Sequence, residues 1–412
     1  MITGTKELIR DVNVALVLDA IRRYGPISRT EVARRTHLGK STVSGIVERL
    51  LKDGLVVETG TGTSEGGRRP ILLDLNPQAR YVVAVKLAPE SISTALCDLK
   101  LQLMPERRFP LDVPESAPDR RRGPAVLAAL KTAIGAVVDQ SGIDWERVMG
   151  IGVVLPGVVE VATGTSVSSH FLTWTSIPLR DELEAHFHVP VVVDNDANAV
   201  ALAEYWLGSG KNSRCLVGVT LGVGIGAGIV VEGRLMRGAI GGAGEIGHIP
   251  MQLDGPPCRC GRRGCLEAIA GDDALVRQAR EKGGSYPTRE ALVEAARRGD
   301  PLATVILNDA AMQIGRALAI VVDLFNPDTI VVGGEAGVQA GDLLLAPIRE
   351  SLYRHAFNGL ADRLQLLPSG VPGNPWLTGA ALEILEALFK LPWGAVPGVH
   401  AVSHPEGSQV GR

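Results

Sequence analysis

Three of the chain's five cysteines fall within eight residues of the stretch GHIPMQLDGPPCRCGRRGCLE, which runs from Gly247 to Glu267. Cys258, Cys260 and Cys265 are spaced C-x-C-x4-C, and His248 stands ten residues ahead of the first. Three thiolates and an imidazole are the donor set of a closed tetrahedral zinc site, and Pro256, Pro257, Gly261 and Gly264 let the backbone wrap around a small object. Four protein ligands leave no open position, so the expected Zn2+ is structural rather than a Lewis acid. The alternative is three free thiols in a loop, and packed this densely they would invite oxidation. Cys97 and Cys215 sit in apolar runs and read as core residues.

Carboxylates gather around this stretch. In GGAGEIGH, Glu245 precedes His248 by three residues, and Glu267 follows Cys265 by two. Fixed near a rigid metal cluster, both can accept hydrogen bonds from polyol hydroxyls, support the metal ligands, or do both. Upstream, VPVVVDNDANAVALAEYWLG reads as a buried strand that ends in Asp194, Asn195 and Asp196 and runs into a helix. Ligands of α/β sheets bind beyond the carboxyl ends of strands, but Asn and Asp at a helix start are equally ordinary caps. In VTLGVGIGAGIVVEGRL, Gly222, Gly224, Gly226 and Gly228 recur with period two, which predicts close backbone approach on one face of a hairpin. The spacing is not a dinucleotide fingerprint, and a hairpin is the better reading than a phosphate cradle.

The elements that position these groups follow from a chain of 412 residues, 45% apolar, with room for two or three domains. Apolar runs at 81–87, 148–155, 189–193, 215–221 and 329–332 predict strands. Segments 125–140, 197–207, 302–324 and 377–390 predict helices, so the body is α/β. Residues 104–124, rich in Pro and Arg, predict a surface loop, and residues 393–412 a loose tail. No short internal repeat is evident. Charged residues break up the N-terminus before a secretory segment can form, and no uninterrupted apolar run reaches the roughly 20 residues that span a bilayer. A cytoplasmic protein without a membrane partner is expected.

Residues 1–80 carry thirteen Lys/Arg against nine Asp/Glu, or +4, which leaves the remainder at −7 given the total of −3. Within residues 1–75 the pattern predicts helices over Lys6–Tyr24, from the Ser28-x-x-Glu31 capping box to about His37, and over Lys40–Lys52. Val43, Ile46, Val47, Leu50 and Leu51 form the apolar stripe of the third helix. Its other side offers Lys40, Ser41, Ser44, Gly45 and Arg49 to a phosphate backbone or a base edge. Strands over Leu55–Glu58 and Pro70–Leu75 flank TGTSEGGRRP, a wing whose Arg68 and Arg69 suit phosphate contact or a narrow minor groove. The partner expected of this head is double-stranded operator DNA; the bland reading is a helical packing domain with a solvated loop.

Taken together these motifs resemble the ROK family of repressors, open reading frames and sugar kinases. GVGIGAGIVVEGRLMRGAIGGAGEIGH resembles the family signature, CRCGRRGCLE its zinc segment and VDNDANAVALAE its sugar-and-base segment. NPDTIVVGGEAG and TGAALEIL resemble its C-terminal nucleotide-lobe elements, and HFLTWTSIPL a further sugar-side segment in which His170 is left unassigned. The resemblance covers about residues 80–390, and the head with its SEGGRRP wing resembles that of the repressor branch. It implies a winged helix-turn-helix over residues 1–75 and a two-lobed actin-like ATPase fold over 76–392. It also implies sugar contacts from Asn195, Asp196, Glu245, His248 and Glu267, zinc held by His248, Cys258, Cys260 and Cys265, and at Asp196 the position of the kinases' general base.

Two departures from the kinase pattern set the expected function. Family kinases open the body with D-x-G-G-T, whose aspartate and amides handle Mg-ATP phosphates; here the stretch reads AVKLAPESISTAL. Lys86 replaces the aspartate, Pro89 has no amide hydrogen to offer, and Glu90 would repel phosphate. In LGVGIG, Val223 replaces a hydroxyl-bearing residue. Phosphoryl transfer rests on positioning and charge neutralisation, so the expectation is no enzyme, with Asp196 vestigial. The expected activity is that of a sugar-responsive transcriptional repressor, a homodimer or homotetramer released from its operator by a monosaccharide or a derivative. The alternatives are an ATP-dependent sugar kinase with a DNA-binding head and a regulator whose body binds a protein partner.

Overall fold

The computed structural model describes residues 6–63, 69–113 and 119–390. Arg68 and the tail 393–412 lie outside the described residues.

The head comprises α1 (Lys6–Tyr24), β1 (Ile27–Ser28), α2 (Arg29–Thr36), α3 (Lys40–Lys52), β2 (Val56–Thr61) and β3 (Ile71–Leu75). The N-cap half of the capping box forms: Ser28 Oγ accepts the Glu31 N–H at 3.2 Å and starts α2, while the Glu31 carboxylate accepts from Arg34 and Arg35. α3 has the predicted bounds, and Gly54 follows it at φ +70°, a left-handed position suited to glycine. β2 and β3 pair antiparallel with Val56 opposite Leu75, and β1 adds a third strand to β3. Val17, Leu18, Ile21, Val32, Val43 and Val47 are fully buried at the head's centre.

The body is two lobes. The first contains β4 (Tyr81–Leu87), β5 (Ser91–Asp98), β6 (Arg107–Pro110), α4 (Asp119–Asp139), β7 (Val148–Leu155), β8 (Val158–Glu160), β9 (Thr165–Ser169), β10 (Trp174–Ile177), α5 (Leu179–Phe187) and β11 (Val191–Asn195). α6 (Asp196–Trp206) leads out of it. The second contains β12 (Cys215–Leu221), β13 (Ile225–Val231), β14 (Arg234–Leu235), α7 (Leu266–Ala270), α8 (Asp272–Glu281), α9 (Arg289–Arg297), α10 (Pro301–Phe325), β15 (Thr329–Gly333), α11 (Gly334–Ala340), α12 (Asp342–His355) and β16 (Gln365–Pro368). α13 (Pro375–Lys390) returns the chain to the first lobe. The main sheets run β11-β7-β4-β5-β6 and β14-β13-β12-β15-β16, the same order of an antiparallel meander followed by two parallel strands. The fold is therefore duplicated although no repeat is legible in the residues. α10 is long and apolar enough to cross a membrane by length and composition, and 61% of its apolar window is buried inside the fold.

The expected surface loop over residues 104–124 is corrected by the structure. Arg107–Pro110 form the edge strand β6 on β5, and α4 already starts at Asp119. Arg122 is completely buried, and its guanidinium donates to the Leu172 and Val113 carbonyl oxygens. A buried arginine that satisfies main-chain carbonyls cannot be told from a solvated one by composition.

Two helices join the lobes. α6 packs on β12 and β13 of the second lobe, α13 packs on β4 and β7 of the first, and the two lie against each other. Missing side chains make these contacts close. A Cβ on Gly152 of β7 would stand 2.0 Å from the Ala380 carbonyl oxygen, and one on Gly228 would stand 2.6 Å from Ala201 Cβ. At the helix–helix contact, a Cβ on Gly379 would stand 2.1 Å from the Ala199 carbonyl oxygen. Gly379→Ala is therefore expected to cost about 1–3 kcal/mol by overpacking, more than the roughly 1 kcal/mol that helix propensity returns. Thermal denaturation checks this; a raised melting temperature would contradict the packing.

Candidate ligand cavity and metal cluster

A cavity of about 1050 Å³ lies between the lobes. Asn195, Asp196, Glu245, His248 and Glu267 all line it, although they come from the β11–α6 junction, a glycine-rich loop and α7. Of the two roles that the sequence left open for Asn195, the structure shows the helix cap. Its Oδ1 accepts the Ala197 and Asn198 N–H groups at 2.7 and 3.3 Å as the cap of α6, and its Nδ2 donates to the Gly157 carbonyl at 2.9 Å. The side chain is thereby fixed at the cavity wall. Asp194 faces away from the cavity into a buried network, accepting from Asn198 Nδ2 at 2.9 Å and Arg237 Nε at 2.7 Å.

The three cavity carboxylates crowd one another. Burial raises the Asp196 pKa, with the Lys86 ammonium opposing the rise. Burial and then the Asp196 charge raise that of Glu245. Burial pushes Glu267 up to about 7 against the Ile225 N–H, which it accepts at 3.2 Å. Acids held in this way gain from hydrogen-bonding partners that enter the cavity, and polyol hydroxyls are such partners. The predicted hairpin is present as β12 and β13, and its Gly222–Gly224 turn forms part of the wall.

Beside the carboxylates, the donor atoms of His248, Cys258, Cys260 and Cys265 lie within 4.8 Å of one another and can hold a metal ion. Cys260 Sγ is 3.7 Å from Cys265 Sγ, and Cys258 Sγ is 3.6 Å from His248 Nδ1. A tetrahedral ion with ordinary zinc bond lengths would separate sulfur from sulfur by about 3.8 Å and sulfur from nitrogen by about 3.5 Å. Short bridges from Pro257 to Arg263 and from Pro250 to Cys265 hold this loop. His248 turns Nδ1 to the cluster and Nε2 toward Glu245, whose Oε2 is 3.9 Å away.

The other side of the cavity is different. Lys86, Ala88, Pro89, Glu90 and Val223 line it, and Val223 is half exposed. Lys86 Nζ lies 3.1 Å from Glu335 Oε1 of α11 and 3.3 Å from the centre of the Trp376 ring at the start of α13. Nothing in the sequence paired Glu335 or Trp376 with Lys86; the three meet only in the folded chain. His170 also lines the cavity, and its neighbour Phe171 lies beneath Arg259 of the metal loop at 5.3 Å.

On the head, Lys40 and Ser41 are exposed at the start of α3, Ser44 is half-buried, and Arg69 is exposed beside the wing tip. Arg49 is folded back, 20% exposed and 3.7 Å from Asp53, so it sits at the rim of that face rather than on it.

Comparison with known proteins places both parts. The ROK family model matches residues 82–385 and the MarR family model residues 11–69. A xylose repressor of Caldicellulosiruptor bescii is 30% identical over 402 residues, covering 94% of this chain and 99% of that protein. The crystal structure of a ROK family transcriptional regulator, a homologue of the E. coli Mlc protein, superposes with a TM-score of 0.79 at 28% identity, covering 93% of this chain and 97% of that one. A ROK family glucokinase from Streptomyces griseus, solved with glucose and AMPPNP, superposes with a TM-score of 0.65 at 30% identity, covering 99% of its own length but 74% of this chain. With a two-lobed body matched along almost its whole length and a winged helix in front of it, the chain belongs to the ROK family.

Proposed function

We propose that this chain is a sugar-responsive DNA-binding repressor whose head leaves operator DNA when a monosaccharide fills the cavity. One observation carries the reading. The carboxylate and histidine side of the cavity is assembled, while on the side where family kinases hold nucleotide phosphates Lys86 is tied to Glu335 and Trp376. The names of full-length relatives point the same way. Asn195, Asp196, Glu245, His248 and Glu267 hold the sugar, and Lys40, Ser41, Ser44, Arg49, Arg68 and Arg69 serve DNA. Two heads of a homodimer or homotetramer grip two half-sites. Only a ligand that binds the lobe arrangements unequally can shift the heads.

His248, Cys258, Cys260 and Cys265 fit Zn2+ by donor type and spacing. Bound there, the metal supplies rigidity and no open coordination position. Occupying Nδ1 leaves the ring hydrogen on Nε2, so His248 presents a donor to the cavity side.

The second reading, a sugar kinase with a DNA-binding head, rests on Asp196, which lines the cavity and which the family resemblance matches to the kinases' general base. Steady ADP release from Mg-ATP in the presence of D-xylose or D-glucose would favour it; none above background is expected.

Binding of the full-length chain to a duplex selected from a random pool, followed by fluorescence anisotropy, should weaken by about tenfold or more with a saturating sugar from a panel of D-xylose, D-glucose, N-acetyl-D-glucosamine and their phosphates. A response to none of them would remove the sensing half of the proposal. Asp196→Asn should weaken sugar binding by about tenfold, the loss of one hydrogen bond to a charged group, while leaving DNA affinity intact; calorimetry checks it. The purified chain should carry about one zinc ion by elemental analysis. Cys265→Ser should lose both the ion and the sugar response, and a metal-free variant that still responds would contradict the positioning role.

A further inference from the structure

Two helices start at the cavity and end beneath the head. α6 begins with Asp196 in the cavity wall and ends at Trp206, a span of about 16 Å at 1.5 Å per residue. α13 begins beside Trp376, also in the wall, and carries Phe389 near its far end. Between these ends the helices are locked together. Gly379 closes on the Ala199 backbone, and Arg237 bridges Asp194, just before α6, to Glu383 of α13 at 2.7 and 2.6 Å. Residues Ala197 to Glu204 are all buried, so α6 has no slack in which to absorb a displacement.

At the far end the contacts belong to the head. The guanidinium groups of Arg22 and Arg23 on α1 lie 4.4 and 4.5 Å from the centre of the Trp206 ring, and Arg22 lies 5.2 Å from that of Phe389. Asp19 holds both arginines at 2.8 and 2.7 Å, and Trp206 Nε1 donates to Glu386 at 3.0 Å. The Arg22 side chain is 5% exposed, and its Nη1 is buried without a hydrogen-bond partner among the described residues. Burying a cation with an unsatisfied donor offsets part of the apolar gain of docking the head.

We propose that the stack of Arg22 and Arg23 on Trp206 is the contact through which the cavity sets the position of the head. A ligand that moves Asn195–Asp196 and Trp376 moves α6 and α13 as one body, and Trp206 carries the movement into α1. This rests on the reading of the cavity as a sugar sensor and of the head as the DNA reader.

The test uses the full-length chain, the selected duplex and the sugar of the panel that shifts the wild type most. Trp206→Leu should bind that sugar within about twofold of wild type, because it lies away from the cavity. Its sugar-induced change in DNA affinity should shrink about fivefold or more. Trp206→Phe, which keeps an aromatic face, should retain most of the response. A Trp206→Leu chain with the wild-type response would overturn the proposal while leaving sugar sensing intact. A wild type that responds to no sugar would overturn both. Should Trp206→Leu fail to fold, the more exposed Arg23→Met carries the same reading: a diminished response supports the contact, and an undiminished one overturns it.

Discussion

The Lys86 ammonium, 3.1 Å from Glu335 and 3.3 Å from the centre of the Trp376 ring, joins β4 of the first lobe, α11 of the second and the start of α13. Glu335 is 56% exposed, so the ion pair by itself is screened and modest. The indole face adds a cation–π attraction to an ammonium that is only 15% exposed. The lobes are thus tied by a side chain of the protein at the cavity wall. The same ammonium faces Asp196 and holds down the pKa that burial raises. What happens at the tie is therefore felt at the cavity carboxylates.

The opposite side of the cavity is built differently. The loop that carries Glu245 and His248 is anchored by Ile246 and Ile249 against the second lobe's core, by backbone bridges, and by a cluster of four side chains that can hold a metal ion. A ligand that presents several hydroxyls needs acceptors and donors in fixed positions, which flexible loops do not supply. On the proposed reading, a metal held by His248 and the three cysteines answers that need. On the proposed reading, these features and the two helices that lead away from the cavity suit a body that registers occupancy.

Legibility in the sequence follows how local each signal is. The Ser28 cap, the bounds of α3 and the C-x-C-x4-C spacing depend on residues a few positions apart, and the structure reproduces them. The gathering of Asn195, Asp196, Glu245, His248 and Glu267 around one cavity was legible only through the family resemblance, because nothing in their spacing dictates it. Contacts between distant segments were not legible. Lys86 and Glu335 are 249 residues apart, and Trp206 and Glu386 are 180 apart. The Pro- and Arg-rich stretch misled because Arg122 is a buried donor to carbonyls, while its composition resembles a solvated loop. The lobe duplication was hidden because it lives in strand order, which different residues can satisfy equally well.

Isothermal titration of the full-length chain with each sugar of the panel, and separately with Mg-AMPPNP, tests the central claim most directly. The account predicts saturable heat from at least one sugar and none from the nucleotide, with or without that sugar present. Saturable nucleotide binding, strengthened by a sugar as a kinase requires, would contradict it.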